Sequence, residues 1–120
     1  MRWFALVLLF VAAPVWAADW YILDFGIQKC VNARDFSARK REPQFRSPLA
    51  LRDYLRSNPE AALLMNYKGT RIHTLEPGVY FVEVKFLNSA MNYFSSYGAC
   101  HAVKKAAIAD GNMPNLNELR

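Results

Sequence analysis

Cys30 and Cys100 are the chain's only cysteines, and His73 and His101 its only histidines. The adjacent Cys100-His101 pair suggests a thiolate–imidazole couple, but neighbouring residues on a helix project in different directions. No Cys-x-x-Cys spacing supports redox catalysis. A zinc site takes three or four ligands in compatible geometry. Two isolated histidines and two cysteines expected to be oxidised do not supply one. No Gly-x-Ser-x-Gly nucleophile motif is present, and Ser95-Ser96 reads as a helix cap.

Glycan hydrolysis would require two carboxylates across a cleft. Asp19 and Asp24 flank one expected strand, and Glu76 and Glu83 flank another, but any chain with ten acids offers such pairs. These residues point to no catalytic centre, no metal and no cofactor.

The strongest candidate for chemistry is a cluster of cations. Arg34, Arg39, Lys40, Arg41 and Arg46 fall within one short segment, against only Asp35 and Glu42, in a chain of net charge +5. Guanidinium groups recognise phosphate and carboxylate through paired hydrogen bonds. Phe36 and Phe45 lie in the same segment and could add stacking or interfacial contact. The competing reading is a solvated loop that keeps the protein in solution.

The compartment follows from the first residues. Met1-Arg2 carries one charge, Trp3–Ala13 is apolar throughout, and Pro14 leads into Val15-Trp16-Ala17. This is the plan of a secretory signal, expected to span residues 1–17 with cleavage after Ala17. Cleavage after Ala18 would instead place bulky Trp16 at the −3 position. A membrane anchor needs about 20 apolar residues, and Pro14 and Asp19 interrupt the stretch too early. A soluble periplasmic or secreted protein is expected, with no transmembrane anchor. In an oxidising compartment Cys30 and Cys100 should form a disulfide. Closing a loop of that length should contribute about 4 kcal/mol.

Asp19–Phe25 is rich in aromatic and β-branched residues and reads as a first strand. Val31–Arg46 has no clear periodicity and reads as a long basic surface loop. Ser47-Pro48 is a helix start, and Asn58-Pro59 its stop. Leu51, Tyr54 and Leu55 form the apolar stripe between them. Ala62–Tyr67 and Thr70–Leu75 read as a hairpin around Lys68-Gly69. Glu76-Pro77-Gly78 turns the chain into Val79–Leu87, the clearest strand, and Met91–Phe94 makes one more. A last helix runs from Ser95 or Ser96 to about Asp110, with Cys100, Val103 and Ala107 on one face.

The resulting expectation is one α+β domain over residues 18–111, with a flexible tail over 112–120. Its antiparallel meander sheet of four or five strands has two helices packed on one face and one disulfide. The layout is similar to that of small secreted bacterial proteins, a resemblance that implies an envelope location and no activity. The functional expectation is a non-catalytic binding module. It would engage an anionic glycan, lipid headgroup or partner protein, and not nucleic acid, through Arg34, Arg39, Lys40, Arg41 and Arg46. The alternative is a small envelope-glycan hydrolase or an inhibitor of an envelope enzyme.

Overall fold

Alternation of side chains across the strands decides how the sheet is covered. The computed structural model describes residues 19–24 and 27–111; the expected signal segment and the tail lie outside them. The strands are β1 (Tyr21–Asp24), β2 (Lys29–Asn32), β3 (Tyr67–Glu76), β4 (Val79–Phe86) and β5 (Ala90–Phe94). They form one antiparallel sheet in the order β2-β1-β5-β4-β3. The helices are α1 (Ala33–Lys40), α2 (Pro48–Ser57), α3 (Pro59–Leu64) and α4 (Tyr97–Ala109), with a 3-10 turn at Pro43–Arg46 between α1 and α2.

The α+β class, the five-stranded antiparallel sheet and the Cys30–Cys100 disulfide (S–S 2.08 Å) match expectation. The placement of the helices does not. In register across the sheet, Ile22 lies opposite Tyr93, and Tyr93 opposite Val82. These three point to one face, where they pack with Leu51 and Leu55 of α2, Ala33 of α1 and Trp20. The alternate residues Leu23 and Phe94 point to the other face and pack around Cys100 of α4. Helices therefore cover opposite faces, because β1 and β5 are apolar on both sides.

Two further corrections concern local structure. Val31–Arg46 is not a loop: it completes β2, forms α1 and ends in the 3-10 turn. The expected hairpin strand Ala62–Tyr67 does not form: Pro59–Leu64 is helical, and β3 begins at Tyr67 and continues past Lys68-Gly69 without turning back. Pro59 stands at the first helical position, where its missing N–H costs nothing. Other signals hold. Ser47 Oγ accepts from the Ala50 N–H, Ser96 Oγ accepts from the Ala99 N–H, and Gly78 turns β3 into β4 at φ 80°. In α4, Cys100 and Ala107 pack inward as expected, but Val103 is exposed.

Candidate functional site

The basic residues belong to α1 and its two flanks. Asn32 caps the helix: its Oδ1 accepts from the N–H groups of Arg34 (2.9 Å) and Asp35 (3.2 Å). Ala33 is fully buried and donates its N–H to the Trp20 carbonyl at 2.8 Å, which anchors the helix to the start of β1. Phe36 packs edge-on against Phe45 with ring centroids 6.0 Å apart. Ser37 is buried and donates to the Arg34 carbonyl. Ala33, Phe36 and Ser37 thus form the inner stripe at helical spacing. Arg34, Asp35, Ala38 and Arg39 are left outside.

The helix ends in a Schellman closure. The Glu42 N–H donates to the Ser37 carbonyl (3.0 Å) and the Arg41 N–H to the Ala38 carbonyl (3.2 Å). Arg41 sits in the left-handed region at φ 58°, ψ 36°. Glycine is the usual residue there, since a Cβ in this conformation costs about 1 kcal/mol or more. Arginine is therefore not what the backbone prefers at this position.

The five cations are not equivalent. Arg34 is paired with Asp19 at 3.3 Å, and Arg46 donates to the Pro43 carbonyl at 2.7 Å. Arg39, Lys40 and Arg41 are exposed and belong to none of the three ion pairs found among the described residues. The Lys40 ammonium lies 5.8 Å from the centre of the Phe36 ring, within cation–π range. A depression beside α1 is lined by Asp24, Ile27, Phe36, Arg39 and Lys40. A second, on the other flank of α1, is lined by Val31, Asn32, Asp35, Ala38 and Arg39. Arg39 borders both.

Arg39 and Lys40 lie in the last turn of α1 and both line the depression beside Ile27, while Arg41 stands just beyond the helix in the left-handed conformation. Three consecutive exposed cations thus spread positive charge over the surface at the end of α1. Arg39 and Lys40 also complement the negative end of the helix dipole, so part of their role is structural.

Several of the other candidates are occupied by structural contacts. Cys100 is buried in its disulfide. Ser95 Oγ accepts from the Tyr80 N–H at 2.7 Å, joining β4 to the entrance of α4. Glu83 faces His73 at 3.4 Å, and His73 stacks on Phe81. Both faces of the Phe81 ring are taken, by His73 (5.1 Å) and Phe94 (4.8 Å). That leaves Phe81 no open ring surface for a ligand to stack on, although alternation alone marks its sheet face as a second candidate surface. The described residues contain no group of three or more His, Cys, Asp or Glu placed to hold a metal ion, and no helix long and apolar enough to cross a membrane.

Sequence reasoning missed Ile27, half exposed beside Arg39 and Lys40. An isolated isoleucine after a glycine carries no signal of its own; only the fold brings it next to the cations. The chain matches no protein-family model, no curated protein and no solved structure. The site must therefore be judged on its own geometry.

Proposed function

We propose that this protein is a small exported, non-catalytic binding module that engages an extended anionic component of the cell envelope. Arg39, Lys40 and Arg41 are the contact residues. The observation that carries this reading is the end of α1, where three consecutive cations are exposed and ion-pair with no described residue. Ile27 and Phe36 supply apolar surface beside them.

Three supports converge. The sequence begins with the three parts of a secretory signal, and the disulfide suits an oxidising compartment. Depressions flank α1 on both sides, and Arg39 lines each of them. The strained backbone at Arg41 keeps a cation where glycine would relieve the helix end.

The test is capture from native envelope extract by the oxidised protein, beside an Arg39/Lys40/Arg41→Ala control. The reading expects an anionic component retained by the native protein, lost in the control and released by salt as exposed charges are screened. Equal capture by both proteins would refute it.

A further inference from the structure

We propose that the outer edge of β3 is a self-association surface, pairing antiparallel with β3 of a second copy in a register centred on Ile72.

The two edges of the sheet are unlike. β2 at one edge is four residues long and runs directly into the capped helix α1. β3 at the other edge is ten residues long, and no described strand pairs with its outer side. Exposed edges are usually blunted by proline, by inward charges or by bulges. In β3 the irregularities fall at its ends, between Tyr67 and Gly69 and between Thr74 and Glu76. Thr70–Thr74 between them is regular, contains no proline and carries one formal charge, Arg71, opposite Glu83 on β4.

The side chains select the register. Ile22, Tyr93 and Val82 form a buried row across three strands. The row continues to Ile72, which lies opposite Val82 at the edge and is 50% exposed. An antiparallel dyad at Ile72 sets this residue against Ile72 of the second copy and extends the row across the interface. The same register places Thr70 opposite Thr74, a favourable cross-strand pair. Centring on Arg71 would oppose two guanidinium groups, and centring on His73 would set Ile72 against Thr74. A one-residue slip also exchanges the faces.

The sheet order places β3 at the far edge from β2 and α1. A dimer built this way leaves both basic helix ends free, and two sites on one particle bind an extended anion more tightly than one.

Sedimentation equilibrium of the oxidised protein tests the pairing, with Ile72→Lys and Thr74→Lys as variants. The expected result is a mass that rises to twice the monomer with concentration. Ile72→Lys should raise the dissociation constant about tenfold or more, since like charges would meet at the dyad. Both positions are exposed, so the variants should melt with the native protein when all are dilute and monomeric. Amide exchange over residues 70–74 should slow as native dimer forms. A native protein that stays monomeric at its highest soluble concentration would overturn the proposal. So would Ile72→Lys and Thr74→Lys variants that dimerise with native affinity.

Discussion

The Tyr93 hydroxyl donates a 2.9 Å hydrogen bond to the Phe45 carbonyl. It links the central strand of the sheet to the turn that follows the basic helix. Phe45 in turn packs on Phe36, and Phe36 lies under Lys40. The orientation of the α1 end is thus set from the core outward, through one phenol, two phenyl rings and an ammonium group.

Removing that link should be measurable. Tyr93→Phe leaves the Phe45 carbonyl without its donor and should cost about 1 kcal/mol at neutral pH. Burial pushes the Tyr93 phenol above its ordinary range. The folded protein then keeps a proton that the unfolded chain releases above pH ~10. This contribution to stability is complete below that pH and is lost as pH rises through the alkaline range. Urea unfolding of Tyr93→Phe should therefore show a shallower alkaline decline, by up to about 1.4 kcal/mol per pH unit. Parallel declines in both proteins would contradict this role.

The disulfide holds α4 to the sheet. Cys100 is the only fully buried residue of that helix, and around it pack Ala99, Ala107 and Ile108, all half-buried. The covalent bond to Cys30 adds to this contact and to the Tyr21–Tyr97 ring pair. A Cys30→Ala/Cys100→Ala variant should lose about 4 kcal/mol from loop closure, read by equilibrium unfolding. Amide exchange should accelerate first in Tyr97–Ala109, ahead of β4 and β5. Uniform acceleration across the chain would show that the helix docks without the bond.

Arg41→Gly separates stability from binding. Glycine relieves the left-handed strain, partly offset by a more flexible unfolded chain. The net gain expected is about 0.5 kcal/mol. The same change removes one of the proposed contact cations, so binding to an anionic polymer should weaken as the melting temperature rises. A variant that gains stability with unchanged binding would remove Arg41 from the site.

Much of this fold was legible because local signals agreed with it. Ser47-Pro48, Asn58-Pro59 and Ser96 mark helix ends by hydrogen bonding and proline geometry, and the structure uses each one. Val79–Leu87 alternates strongly enough to be read as a strand. α1 escaped because its inner stripe is only Ala33, Phe36 and Ser37, too polar to register as periodic. Asn32 followed by Asp35 was the available sign of a cap. α3 escaped because Ala61–Met65 is a short apolar run, which periodicity alone cannot assign. Coverage of both sheet faces was foreshadowed by Trp20–Leu23, apolar at consecutive positions and not at alternate ones. At the site, the cluster of cations was visible in the sequence. Which of them are committed to internal partners was not, since the Arg34–Asp19 pair depends on how α1 packs beside the start of β1.

Elution from a sulfated polysaccharide column under a salt gradient, with two charge-matched variants, tests the site at the end of α1 most directly. Arg39/Lys40/Arg41→Ala removes the proposed contact, and Arg56/Lys85/Lys105→Ala removes three exposed cations elsewhere. The first variant should elute markedly earlier and the second nearly as the native protein does, because exposed charges act over about one Debye length, roughly 10 Å. Equal displacement of the two variants would mean that net charge alone governs binding, and would contradict a site at the end of α1.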